Sequence, residues 1–280
     1  MLLGGLFALA MIVTPATAQY RFDHWTTDNG LPQNTIRSLV QTRDGYLWFT
    51  TFDGLVRFDG VRFTVFDRNN TPGIINNRFT QIVEDRDGTL YALMESSALT
   101  VYRNGVFTSY PQADELPGPW IEFLIPDRNG EIIIYTRGVA YYLRNGAFIA
   151  APPEYQRGWL HGLHLASARR FWTVDQQGVH LLEDGRMLDY PLSFDTLHIE
   201  VWLYEDRLGR LWIGGTVGLY CWQDGIITRY TEKDGLPPHT EIRPYCEDND
   251  GGIWFITGQV RVNTNGLARL KDGRFTFFDT

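Results

Sequence analysis

"LVQTRDGYLWFTTFDGLVRFDG" (39–60) decides the fold. It sets an Asp-Gly turn three residues before a Trp, and a second Gly six residues beyond that Trp. "LYEDRLGRLWIGGTVGLYCWQDG" (203–225) carries the same punctuation. Laying the chain against itself yields six copies. Their anchors are Trp48, Tyr91, Ile133, Trp172, Trp212 and Trp254, spaced 43, 42, 39, 40 and 42 residues apart. The turns before them read TRDG (42–45), DRDG (85–88), DRNG (127–130), DRLG (206–209) and DNDG (248–251). The fourth copy has lost its glycine and reads ASARRFW (166–172). The sixth delays its second glycine to Gly266, an insertion of about six residues.

Each copy holds four short runs rich in branched and aromatic residues, bounded by Gly, Asn and Asp. In the first copy they are 36–41, 46–51, 55–58 and 62–66. No window shows a helical stripe over three turns. Four antiparallel strands every ~40 residues predict an all-β chain, a β-propeller of four-stranded blades. A helical solenoid or an α/β barrel needs amphipathic helices that the sequence lacks.

Recurrence at blade spacing assigns Trp48, Trp172, Trp212 and Trp254 to wedges between blades. Removing Trp212 is expected to cost about 3–5 kcal/mol. Gly45, Gly88, Gly130, Gly209 and Gly251 serve the hairpins, where Asp accepts local N–H bonds and Gly takes positive φ. DRDG lacks the full spacing of a calcium loop, so no metal or cofactor is expected.

The ends add two readings. The first 18 residues end an apolar run in Ala16-Thr17-Ala18, as a secretory signal does, although no Lys or Arg precedes it. The remainder, 19–280, reads as the propeller. Fourth strands read VRFTVFD (61–67), VFTSYP (106–111) and RFTFFDT (274–280), and YRFDHWT (20–26) shares their register. Six complete blades plus one surplus strand imply a seventh, and a chain truncated at its C-terminus. A six-bladed ring with a spare strand is the rival.

The net charge is −8 with no Lys/Arg block, which argues against a nucleic-acid partner. Hydrophobic residues make up 44% and charged ones 21%, a globular composition. Cys221 and Cys246 read as two buried free thiols in neighbouring strands; a disulfide between them, which an exported compartment permits, is the alternative.

"TTDNGLPQNTIRSLVQTRDGYLWFTTFDGLVRFDG" (26–60) and "YTEKDGLPPHTEIRPYCEDNDGGIWFITG" (230–258) resemble the two-component regulator propeller repeat. The first copy carries the pattern at Gly30, Leu31, Pro32, Asn34, Ile36, Leu39, Gly45, Leu47, Trp48, Thr50, Gly54 and Leu55. The fifth carries it at Asp206, Gly209, Leu211, Trp212, Ile213, Gly214, Gly218 and Leu219. The resemblance extends from Tyr20 to Thr280 and is weakest in copies two to four. It implies an extracytoplasmic sensor, held to the inner membrane through downstream segments. Family members commonly join two seven-bladed propellers to a β-sandwich, a transmembrane helix and a histidine kinase, diguanylate cyclase or DNA-binding output. No signature of those outputs lies within these residues, so the chain itself is expected to be non-catalytic. The remaining propeller and the output domains would be its covalent partners.

The candidate ligand face lies where each fourth strand leads into the next first strand. Fourteen residues before the anchors stand Asn34, Asn77, Pro119, Gly158, His198 and Thr240, with Gln33, Asn76, Trp120, Trp159 and His239 beside them. Asn34, Asn77, Trp120, Trp159, His198 and His239 are the chosen candidates. Asn34 and Asn77 also suit turns for backbone reasons, whereas Trp120 and Trp159 can stack on a sugar or bury apolar ligand area. The ligand is an unknown small molecule; carbohydrate suits these side chains, and a peptide or partner protein stays open. A propeller glycan hydrolase or lyase is the alternative. It needs paired carboxylates or a His/Tyr/Arg cluster at the channel. His161 and His164 in GWLHGLH are a weak start on such a cluster.

Overall fold

The computed structural model describes residues 23–111, 120–127, 129–136, 139–155, 163–167, 170–175, 178–183, 186–190, 201–215, 218–238, 240–259 and 262–279. These form an all-β chain with no α-helix among the described residues. Six successive four-stranded antiparallel units, sheets I to VI here, each follow chain order. Sheet I comprises Ser38–Gln41, Leu47–Thr51, Gly54–Phe58 and Phe63–Phe66. Sheet II runs from Phe79–Glu84 to Val106–Tyr110, sheet III from Ile121–Pro126 to Ala147–Ala150, and sheet IV from Leu163–Ser167 to Arg186–Tyr190. Sheet V runs from Val201–Glu205 to Ile226–Tyr230, and sheet VI from Thr240–Glu247 to Arg274–Asp279.

Local chemistry fixes the hairpins. Between third and fourth strands stand Asn104-Gly105, Asn145-Gly146, Asp224-Gly225 and Asp272-Gly273, with φ of 50/83°, 51/81°, 49/83° and 50/73°. Two successive positive φ values are the requirement of a tight type I′ turn, which Asn-Gly and Asp-Gly meet at least strain. Between first and second strands the leading Asp is the organiser. Asp127 Oδ1 accepts the N–H groups of Asn129 and Glu131, both at 2.8 Å. Asp85, Asp206 and Asp248 do the same in their own turns. Gly45, Gly88, Gly130, Gly209 and Gly251 close these turns at φ of 73–90°.

The sheets pack face to face through alternate residues of each strand. Trp48 lies in a cluster with Phe79, Ile82, Leu90 and Met94 of sheet II. Tyr91 joins Ile121, Leu124 and Ile132 of sheet III. Trp172 meets Val201, Leu203 and Leu211 of sheet V, and Trp212 meets Ile242, Ile253 and Phe255 of sheet VI. Side chains on the first strands then link neighbours. The Ser38 hydroxyl accepts the Ile82 N–H at 3.2 Å. The Gln81 amide brackets Leu124, with bonds of 2.9 and 2.8 Å to its carbonyl and N–H. Arg243 lies 4.0 Å over the Trp202 ring. Sheets V and VI come closest, with Gly215 paired to Ile242. A Cβ on Gly214 would lie 2.2 Å from the Ile242 carbonyl oxygen, so that contact requires glycine.

One expectation is corrected. Trp254, unlike Trp48, Trp172 and Trp212, is only half-buried. Its face meets Phe278 and Arg269 of its own sheet. Residues 23–26 form no strand; Trp25 packs edge-on against Phe58 at 5.4 Å, and Thr26 caps a 3-10 turn, Thr27–Asn29. The insertion in the sixth copy lengthens strands: Ile253–Gln259 pairs with Val262–Lys271. Cys221 and Cys246 are free thiols, the first buried and the second exposed. Residues 1–18 lie outside the described residues.

Candidate functional site

The loops entering the first strands are shaped by a repeated backbone cap. Thr26 N–H donates to Asn29 Oδ1, and Asp28 N–H donates to Thr26 Oγ1. Asp67 with Asn70, and Thr231 with Asp234, repeat the arrangement. Asn34 and Asn77 complete two of these caps. Asn34 Oδ1 accepts the Thr27 N–H at 2.8 Å, and Asn77 Oδ1 accepts the Arg68 N–H at 2.9 Å. Each oxygen holds its own loop, which matches the backbone role that turn chemistry suggests for Asn34 and Asn77. Counting from Thr231 as Asn34 counts from Thr26 leads to His239, which lies outside the described residues with Trp159, His198 and His161. A bulge between Pro244 and Cys246 adds one residue before the last anchor, so the fixed offset landed on Thr240.

Strand pairing shows which residues stand at the mouth. Phe79 pairs with Met94, Ile121 with Thr136, and Ile242 with Thr257, each three residues past its anchor. The preceding residues, Arg78, Trp120 and Glu241, thus share one register position. Ile36 reaches the same level in sheet I, where Arg37 donates its N–H to the Thr50 carbonyl. One cation, one indole, one carboxylate and one aliphatic side chain occupy equivalent places, and the Trp120 indole is 47% exposed.

The best-described quarter of this mouth joins sheets I and II. Phe52 sits in the turn between second and third strands, its N–H held by Gln33 Oε1 at 3.0 Å. Arg78 lies 3.8 Å over the Phe52 ring, and Arg37 lies 5.1 Å over it. Arg78 forms a two-pronged ion pair with Glu95, one arm being Nη2 to Oε1 at 3.1 Å. That pairing holds the Glu95 carboxyl below its usual range. On the far pair of sheets, Arg243 binds Glu241 at 2.6 Å and covers Trp202. The arrangement offers aromatic faces and guanidinium N–H groups together, which suits a polar ligand with flat or ring-shaped parts.

Sequence reasoning chose Trp120 and missed Arg37, Phe52, Arg78, Glu95, Trp202, Glu241 and Arg243. The omitted signal was the second mouth loop of each repeat, between second and third strands, which supplies Phe52 and Glu95. Among the described residues no group of three or more His, Cys, Asp or Glu could hold a metal ion.

Residues 30–53 match the two component regulator propeller family. The structure is similar to the extracellular domain of a hybrid two component system from B. thetaiotaomicron, with a TM-score of 0.67 and 20% identity. That match covers 92% of this chain and 36% of the other, so the chain spans about a third of the solved domain. Virginiamycin B lyase from Staphylococcus aureus is similar with a TM-score of 0.63 and 13% identity, over 88% of this chain and 84% of that one. A streptogramin B lyase aligns with a TM-score of 0.61 and 16% identity, over 90% of this chain and 85% of that one. At such identities the likeness establishes the β-propeller fold alone. No curated protein matches the sequence significantly.

Proposed function

We propose that this chain is the ligand-sensing propeller of an extracytoplasmic signal-transduction receptor, and that it binds its ligand at the mouth formed by the loops entering the first strands. The observation that carries this reading is the single register position held by Ile36, Arg78, Trp120 and Glu241. A position that only sealed a ring would favour one residue type. Four chemistries there make a recognition surface. The regulator-propeller match at 30–53 and the fold shared with a two-component extracellular domain support the sensor assignment.

The ligand is a small polar molecule, with carbohydrate the class best suited to indole, phenyl and guanidinium groups in one rim. The seventh blade and an output domain belong to the same reading, as parts of a longer receptor in the periplasm. No helix among the described residues is long and apolar enough to cross a membrane. Binding is favoured over catalysis at Glu95. A general acid or base works best with a pKa near the operating pH. Arg78 shifts the Glu95 carboxyl the opposite way.

A panel of oligosaccharides screened by thermal shift tests the reading. At least one saturable rise in melting temperature is expected, with no turnover of the bound saccharide. Hydrolysis or elimination of it would favour the enzyme alternative.

A further inference from the structure

Five of the six units carry an aromatic pair that the third carries in neither place. The anchor on the second strand lies diagonally, across the third strand, from the fourth-strand residue two places beyond its register partner. The pairs are Trp48 with Phe66, Tyr91 with Tyr110, Trp172 with Tyr190, Trp212 with Tyr230, and Trp254 with Phe278. In the four Trp units the two rings touch, with centroids 5.2–5.6 Å apart. In sheet III the same places hold Ile133 and Ala151, the latter bonded through its N–H to the Ala140 carbonyl at 2.8 Å.

The space is only partly refilled. Tyr142, cross-strand from Ile133, swings its hydroxyl to Asp127 Oδ2 at 2.8 Å, and Tyr155 packs over the cluster from a short 3-10 turn. A pocket of about 380 Å³ remains, lined by Asp127, Asn129, Tyr142, Arg144, Ala151 and Tyr155 with two prolines at its rim. That volume falls at the lower end of small-ligand sites. Arg144 caps the Tyr142 ring at 4.6 Å and is itself held by Glu131.

The buried carboxylate indicates what the pocket takes. In sheet V, Asp206 Oδ2 accepts two good donors, Trp212 Nε1 at 2.9 Å and Arg210 Nε at 2.6 Å. In sheet VI, Asp248 Oδ2 accepts Trp254 Nε1 at 2.8 Å and Arg269 Nε at 2.7 Å. In sheet III, Asp127 Oδ2 has the Tyr142 hydroxyl and only a long contact of 3.4 Å from Asn129 Nδ2. One acceptor direction of that oxygen is left for a further donor. Its sibling oxygens take an indole N–H at short range.

We propose that this pocket binds a planar aromatic ring carrying an N–H donor, seated beside Ala151, where the other units carry their fourth-strand ring, and donating to Asp127. The site is separate from the mouth between sheets I and II, and it stands or falls independently of the sensor reading.

Indole and indene test it, since they share a shape and differ in the N–H. Titration of the 280-residue chain with each, followed by ligand-observed NMR, should show saturable indole binding and at least tenfold weaker indene binding. The variant Ala151→Phe restores one missing ring and should abolish indole binding while keeping the melting temperature at or above that of the parent. The indole–indene contrast on the unaltered chain does not depend on that variant folding. Absence of indole binding, equal binding of the two ligands, or undiminished indole binding by folded Ala151→Phe would each overturn the proposal.

Discussion

Arg207 in the turn of sheet V is clasped by Glu247 of sheet VI: its N–H donates to Glu247 Oε2 at 2.8 Å, and its guanidinium Nε lies 3.3 Å from the same oxygen. The guanidinium also reaches the Asp248 carbonyl. Sheets I and II repeat the clasp, with the Arg43 N–H donating to Glu84 at 3.2 Å and its guanidinium to the Arg86 carbonyl. The arginine in second place of the turns at 42–45 and 206–209 therefore joins one blade to the next, at the end of the sheets opposite the mouth.

The two partners of this clasp should differ in importance. Glu247 has a nearly buried side chain, so Glu247→Ala strands a backbone N–H and should cost about 1–3 kcal/mol. The Arg207 side chain is more than half exposed, and Arg207→Ala should cost about 0–1 kcal/mol. Urea unfolding of both variants checks the asymmetry. Equal losses would show that the ion pair, rather than the backbone bond, holds the blades.

The anchors should rank by burial. Trp212 is 1% exposed and sealed between two sheets, so Trp212→Ala should cost about 3–5 kcal/mol. Trp254 is half-buried, and Trp254→Ala should cost less than half as much. Equal melting temperatures for the two variants would contradict the packing described for the sixth sheet.

Asp248 makes stability depend on acid. Partial burial alone would raise its carboxyl, but Arg269, the Gly252 N–H, the Trp254 indole and the Asp250 N–H together hold it well below the usual carboxylate range. A folded pKa below the unfolded value of about 3.9 gives stability that is complete above that value and lost as pH falls through the folded one. Asp248→Asn should therefore lower the melting temperature at pH 7 and narrow its gap from the parent as pH falls below about 4. A constant gap across that window would remove Asp248 from the acid response.

The thiols should react at different rates. Burial pushes the Cys221 thiol up to about 11; partial burial and Asp248 also raise the Cys246 thiol, but Cys246 is exposed to reagent and Cys221 is buried. Native protein treated with a chromogenic disulfide at pH 8 should release one equivalent quickly and a second only on unfolding. Two fast equivalents would place Cys221 at the surface.

Much of this architecture could be read from residue spacing, because anchors and Asp-Gly turns are local and repeat in sequence. Trp48, Trp172 and Trp212 announced their wedges without any knowledge of neighbours. What escaped the reading depends on pairing across strands. Ile133 stands at the anchor spacing without a ring, and spacing alone does not show that Tyr142, its cross-strand partner, supplies aromatic bulk beside it. Asn34 and Asn77 were read from spacing alone, and the backbone caps that consume their oxygens appear only once the loops are folded. Arg78 and Phe52 come from different loops of different repeats, and only the fold brings the guanidinium onto the ring.

The central claim is that a ligand acts at the mouth, and hydrogen–deuterium exchange tests it most directly. The 280-residue chain would be compared with and without the oligosaccharide that gives the largest thermal shift. Exchange should slow in peptides covering 33–37, 51–54, 76–78 and 94–97, the loops that carry Arg37, Phe52, Arg78 and Glu95. Protection confined to the opposite turns, 42–45, 85–88 and 206–209, or no protection at all, would contradict the account.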